Sequence, residues 1–160
     1  MAHSEASWAI YFSLACGLIV MLVPLPVESR LLRPDFVALI LFYWVLALPH
    51  RVGVTTAFFL GVGQDLIEGS PLGLSSIGLM VATVVLLSNY QRIRQFDAAQ
   101  QSLMILVLMI LSSGIEQWLR DGINVPAASW TGLIGLVVSA LCWLPIRQVL
   151  RYFRRYYEVT

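Results

Sequence analysis

Lysine is missing from this chain of 160 residues, and its ten basic residues are all arginines. Charged residues of both signs make up only 12% of the sequence, whereas soluble domains carry roughly a quarter. The net charge is only +1, and no stretch between the apolar segments is long enough to form a soluble domain. The sequence therefore excludes a module that binds nucleic acid.

Cysteine and histidine are also scarce, with two of each. Cys16 and Cys142 lie in apolar segments, where a free cysteine is typical of a small buried side chain, so neither a disulfide framework nor a metal site is expected. His3 and His50 have no partner at the spacing of a zinc-binding motif, and the Gly-x-Ser-x-Gly motif is absent. We therefore predict no catalytic residue, no cofactor and no enzymatic activity.

Hydrophobic residues, by contrast, make up 59% of the chain, and the mean hydropathy is +0.81. Six apolar runs predict six membrane-spanning helices. The second and third runs are shorter than the roughly 20 residues of a typical span, which leaves five spans as the alternative. We predict an all-α, polytopic membrane bundle forming one integral membrane domain over residues 1–160. Its helices are expected at about 8–25, 36–50, 52–68, 72–90, 102–119 and 130–150.

The distribution of arginine predicts the orientation in the membrane, because cytoplasmic loops are enriched in basic residues. Seven arginines lie in the even-numbered connections and the C-terminal segment, and three lie on the opposite side. Both termini are therefore expected in the cytoplasm. The basic tail over 147–160 alternates arginines with aromatic residues, which is typical of an anchor on anionic lipid, with contact to a cytoplasmic partner as the alternative.

In this orientation several charged side chains lie at the outer ends of helices. Ionisable residues within membrane spans usually face other helices or water and are common at functional positions. We expect Asp65 and Glu116 to be buried or to line an outward-open cavity. The others can reach the interface, and Glu116 with Arg120 can form an ordinary i,i+4 pair. The outer polar cluster comprises Arg33, Asp35, Asp65, Glu68, Glu116 and Arg120.

A stripe of small residues lies on the first helix. Ala9, Ser13 and Gly17 are spaced four residues apart, so they share one helix face and allow another helix to approach closely. The stripe predicts packing inside the bundle or, alternatively, a docking face for a second membrane protein.

Two turns are candidate contact or structural segments. Pro49, His50 and Arg51 form a polar cytoplasmic turn whose proline restricts the backbone. At the other end of the third helix, the segment from Asp65 through Gly69 to Gly73 turns the chain on the outer side.

Five short motifs follow one another along the chain: Arg33-Pro34-Asp35, Tyr43-Trp44, Ala47 to Gly53, Asp65-Leu66-Ile67-x-Gly69-Ser70-x-Leu72-Gly73, and Gln100-Gln101. In this order they resemble the rod shape-determining protein MreD family of Gram-negative bacteria. The resemblance covers about residues 30–120 well and is weaker in the first and last helices.

The resemblance implies a multi-pass protein of the bacterial inner membrane that scaffolds or regulates the elongasome, which maintains cell shape by lateral peptidoglycan synthesis. It implies MreC as the main partner, with MreB, RodZ and the RodA–PBP2 synthase in the same assembly. It also implies a fold similar to the S-components of ECF vitamin transporters. A small-molecule-binding transporter subunit with that fold is the alternative, and it predicts a closed pocket lined by Asp35, Asp65 and Glu116.

Overall fold

The computed structural model describes residues 3–23, 34–123 and 132–156. The described residues form six helices, which confirms the predicted all-α, six-helix fold. In chain order they are α1 (His3–Leu22), α2 (Phe36–Ala47), α3 (Val54–Glu68), α4 (Leu74–Ile93), α5 (Ala98–Gly122) and α6 (Gly132–Tyr156).

Helices α5 and α6 are longer than the expected ranges. α5 begins at Ala98 because Asp97 and Gln100 form a capping box, in which the Asp97 N–H donates to Gln100 Oε1 at 3.4 Å. α6 continues to Tyr156, so the described part of the predicted basic tail is a helical extension of the last span.

Helix α2 is the centre of the bundle and contacts all five other helices. Its sequence is apolar on every side, which is typical of a fully buried helix, and Phe42 and Trp44 are buried. Asp35 begins the helix, and its side chain accepts a hydrogen bond from the Ala38 N–H at 3.0 Å. With 12 residues, α2 is about 18 Å long, which is shorter than the hydrocarbon core of a membrane. So short a helix is possible here because the surrounding helices cover it.

Serine side chains form hydrogen bonds between α6 and the helices next to it. The Asp35 N–H donates to Ser139 Oγ at 2.9 Å, which joins the start of α2 to α6. Ser102 Oγ of α5 donates to the carbonyl of Ala140 at 2.6 Å. These polar contacts occur where helices meet, since hydrocarbon offers no alternative partner.

The basic end of α6 packs near the C-terminal end of α2. Arg147, Arg151 and Arg154 all lie within electrostatic range of the Tyr43 side chain. Three arginines spaced over two helical turns therefore share one face of α6 and meet the end of α2 that precedes the Pro49 turn.

Three helical segments among the described residues are long and apolar enough to cross a membrane: Leu74–Ile93, Ala98–Gly122 and Ile134–Tyr156. Two shorter apolar segments, Trp8–Leu22 and Phe36–Ala47, accompany them. Large apolar side chains on the outside of the bundle are exposed, as a hydrocarbon solvent permits. The chain is a membrane protein with several candidate spans.

Candidate functional site

The carboxylate of Asp65 closes the turn between α3 and α4, and its side chain is fully buried. Oδ1 accepts hydrogen bonds from the Ser70 hydroxyl at 2.9 Å and the Ser75 N–H at 3.0 Å. Oδ2 accepts one from the Gly73 N–H at 2.7 Å. Because Gly73 and Ser75 lie at the start of α4, the helix dipole also stabilises the carboxylate. In the structure, Asp65 of α3 therefore holds the turn and the start of α4 in place through three hydrogen bonds.

Two glycines shape the same turn. Gly69 ends α3 at a φ of 67°, and Gly73 precedes α4 at a φ of 102°, both in the left-handed region that other residues avoid. The backbone carbonyl of Asp65 accepts hydrogen bonds from the N–H groups of Gly69 and Ser70. The residues from Asp65 to Ser75 thus form one interdependent turn.

Small residues let α4 approach both of its neighbours closely. A Cβ atom on Gly61 of α3 would lie only 2.3 Å from Ser76 Cα. On the opposite side, a Cβ atom on Gly78 of α4 would lie 2.8 Å from the carbonyl oxygen of Ser112 and 2.9 Å from Glu116 Oε1. Helices α3, α4 and α5 therefore form one tightly packed layer.

Four members of the outer polar cluster come together at one end of the bundle. Asp35 precedes α2, Glu68 ends α3, and Glu116 and Arg120 lie towards the end of α5. Glu68 and Glu116 are each within electrostatic range of both Asp35 and Arg120. Asp65 is within range of Glu68 but faces the α4 turn. The remaining predicted member, Arg33, lies outside the described residues.

A recess opens beside this cluster, where α1, α2 and α3 meet. Its volume is ≈ 140 Å³, and its lining consists of Met21, Pro34, Asp35, Phe36, Val37, Gln64 and Glu68. Pockets for small molecules typically hold about 300–1,000 Å³, so the recess suits a single functional group better than a whole vitamin-sized ligand. Asp65 and Glu116 are not part of its lining, in contrast to the pocket expected for a transporter subunit.

Gln64 is a lining residue that the outer polar cluster, as predicted, did not include. Its side chain is only 6% exposed, and its Nε2 donates to Glu68 Oε1 at 3.5 Å. Its Oε1 accepts no hydrogen bond from the described part of the chain. The sequence feature that could have identified Gln64 is an amide side chain next to Asp65 in an otherwise apolar helix. The sequence-based prediction instead considered only the charged residues near it.

The small-residue stripe of α1 faces α2. Ala9 is buried, and Ser13 Oγ accepts a hydrogen bond from Trp44 Nε1 at 2.7 Å. A Cβ atom on Gly17 would lie 3.1 Å from Ile40 Cδ1. The stripe is thus covered by the chain's own central helix.

The turn between α2 and α3 is compact. The Leu48 carbonyl accepts hydrogen bonds from the N–H groups of Arg51 and Val52 at 3.0 and 3.1 Å, which closes the chain around Pro49. Val52 is buried and anchors the turn, while His50 is exposed and Arg51 is half-buried. The turn therefore holds the polar side chains of His50 and Arg51 at the surface on a hydrogen-bonded backbone.

Comparisons with known proteins agree on one family. The family model described as rod shape-determining protein MreD matches residues 3–153. A protein of Haemophilus influenzae (strain ATCC 51907 / DSM 11121 / KW20 / Rd), named rod shape-determining protein MreD, is 30% identical over 134 residues, which cover 84% of this chain and 83% of that protein. No solved structure matches the chain.

Proposed function

The chain belongs to the MreD family of rod shape-determining proteins, which are non-enzymatic membrane proteins, and we propose that it is a scaffold or regulator of the elongasome in the bacterial inner membrane. The family match from α1 into the last turn of α6 is the observation that carries this proposal. In this role the protein maintains cell shape by organising lateral peptidoglycan synthesis.

MreC is the main partner in this proposal, and MreB, RodZ and the RodA–PBP2 synthase belong to the same assembly. A fold similar to the S-components of ECF transporters is also part of the proposal, and the six-helix bundle around α2 is compatible with it. We favour the scaffold over a transporter subunit because the recess of ≈ 140 Å³ is small relative to common ligand pockets of about 300–1,000 Å³.

Both termini are cytoplasmic in this proposal. The arginine distribution supports this orientation, and so does the position of Arg147, Arg151 and Arg154 near Tyr43, at the end of α2 that precedes the Arg51 turn. Single cysteines placed within 91–101 should resist a membrane-impermeant thiol reagent applied to intact cells. Rapid labelling from outside would reverse the orientation.

The role in cell shape is tested in a deletion strain. Cells that lack the gene should become round, and a plasmid copy should restore rods and recover MreC when the tagged protein is purified in mild detergent. Rod-shaped deletion cells would contradict the proposed function, and so would a purified protein that brings down no MreC above the level of an unrelated tagged membrane protein.

The Arg51 turn is proposed as a cytoplasmic contact of the assembly. Arg51→Ala should lower MreC recovery by about fivefold or more, the loss typical of a contact residue that contributes over 1 kcal/mol. The free energy of unfolding should change by only about 0.5 kcal/mol. Arg94→Ala, which removes an exposed arginine after α4, is the matched control. Equal recovery with both variants would remove the turn from the contact surface.

A further inference from the structure

The helical extension at the end of α6 carries a cluster of arginines. Arg147, Arg151 and Arg154 are spaced four and three residues apart, so they share one face of α6. All three lie within electrostatic range of the Tyr43 side chain of α2. Like charges at these spacings repel one another, and the C-terminal end of α2 offers only about half an elementary negative charge. An anion bound among the three guanidinium groups would relieve this repulsion.

The acidic residues of the whole sequence are too few to neutralise the arginines at this end of the bundle. The seven arginines there are Arg51, Arg92, Arg94, Arg147, Arg151, Arg154 and Arg155. Of the chain's nine acidic residues, three belong to the same end: Glu5 in the first turn of α1, Asp97 before α5 and Glu158 after α6. The Asp97 side chain already closes the capping box of α5. Even with all three acidic residues paired, most of the arginines keep an uncompensated charge.

Exposed apolar side chains lead along α6 from the membrane span to the arginine cluster. Val137, Leu144 and Arg151 are each seven residues apart, so they follow one another along the same exposed side of the helix. Beyond them Tyr152 and Tyr156 are exposed and stack, with ring centroids 6.4 Å apart, and exposed tyrosines are typical of the membrane–water interface. The surface therefore favours an anion that carries hydrocarbon chains over a water-soluble one.

We propose that Arg147, Arg151 and Arg154 bind the headgroup phosphate of an anionic phospholipid whose acyl chains lie along the exposed apolar side of α6. Guanidinium groups bind phosphate oxygens through charge-assisted hydrogen bonds, which are frequently bidentate. A zwitterionic lipid also carries an ammonium group, which the uncompensated arginines repel, so the site selects lipids with a net negative charge. This binding is a property of the chain itself and does not depend on the role in cell shape.

The purified full-length chain in micelles of the uncharged detergent dodecyl maltoside tests this site, with thermal unfolding followed by tryptophan fluorescence. The probe is dioleoyl phosphatidylglycerol, compared with dioleoyl phosphatidylcholine and with water-soluble glycerol phosphate. Phosphatidylglycerol should raise the unfolding temperature along a saturable curve, because a ligand that binds only the folded state stabilises it. Neither phosphatidylcholine nor glycerol phosphate should do so at the same concentrations.

A pair of variants with equal charge locates the binding. Arg151→Gln should weaken the apparent affinity for phosphatidylglycerol about fivefold, the contribution expected of one arginine beside an anionic lipid. Arg151 is exposed, so the unfolding temperature without lipid should stay within about 2 °C of the wild type. Arg94→Gln removes the same charge from an exposed position after α4, at the same end of the bundle. It should change the affinity by less than about twofold, since exposed charges beyond the Debye length are largely screened.

Several results would overturn the proposal. One is no saturable shift with phosphatidylglycerol, and another is an equal loss of affinity in Arg94→Gln and Arg151→Gln, which a diffuse positive field would produce. Stabilisation by glycerol phosphate equal to that by the lipid would show a site for free phosphate. Hexaglutamate that abolishes the effect of the lipid would show a site for an acidic protein segment. A lipid effect seen only in Glu158→Gln would show that the chain's own carboxylate occupies the cluster.

Discussion

Gly61→Ala is expected to lower the free energy of unfolding by about 3 kcal/mol, at the upper end of the range for overpacked interiors. The added Cβ would lie 2.3 Å from Ser76 Cα and 2.5 Å from Ser76 N. These are backbone atoms, so a side-chain rotation cannot relieve the overlap and α3 must move away from α4. Because Asp65 follows Gly61 by four residues on the same helix face, the displacement also strains the Asp65 hydrogen bonds.

Gly114→Ala is the matched control for this prediction. A Cβ atom on Gly114 of α5 would have no neighbouring atom within 4 Å, so the same substitution adds a methyl group without a clash. Alanine in a helix interior is favoured over glycine by roughly 0.5–1 kcal/mol, and this variant should therefore be slightly more stable. Unfolding by denaturant in a constant detergent background measures both variants. If Gly61→Ala changed the free energy of unfolding by less than about 0.5 kcal/mol, the range typical of surface substitutions, the α3–α4 contact would be looser than this packing implies.

The helix count was predictable because each apolar run needs to satisfy its backbone internally in a membrane, and a helix does so. The limits of α5 were not predictable from hydropathy. Gln101 is polar, yet it lies inside α5 and is buried, because its Nε2 donates to the Ile93 carbonyl at 2.8 Å. A polar residue whose side chain hydrogen-bonds a free carbonyl at the end of a neighbouring helix is therefore predicted as loop from hydropathy, although it lies in a helix.

The gathering of charges at one end of the bundle followed from topology, because Asp35 precedes α2 while Glu68 and Glu116 lie towards the ends of the oppositely directed α3 and α5. The individual contacts that these charged groups make could not be predicted from topology. Ser139 contacts Asp35 across 104 positions of sequence, and serine in an apolar helix carries no pattern that distinguishes such a contact from packing. The role of Gln64 likewise depends on where α1 and α2 close around it.

Asp65→Ala is expected to destabilise the fold by about 4 kcal/mol, since each unsatisfied buried donor costs roughly 1–3 kcal/mol and such losses are not fully additive. The substitution leaves the Ser70 hydroxyl and the N–H groups of Gly73 and Ser75 without their acceptor. It also removes the negative charge at the start of α4. Denaturant unfolding in detergent measures the loss, with Asp121→Ala as a control in which an exposed carboxylate is removed.

Asp65→Asn separates the charge of this side chain from its shape. The amide keeps one acceptor oxygen but places an NH₂ group towards either the Gly73 N–H or the Ser70 and Ser75 donors, so one donor faces another. Asp65→Asn should therefore lower the free energy of unfolding by about 2 kcal/mol, so that its stability lies between those of the wild type and the alanine variant. If Asp65→Ala kept its stability but lost MreC recovery, the carboxylate would be a contact group. If both properties fell together and both were partly restored in Asp65→Asn, Asp65 would act through the turn that joins α3 to α4.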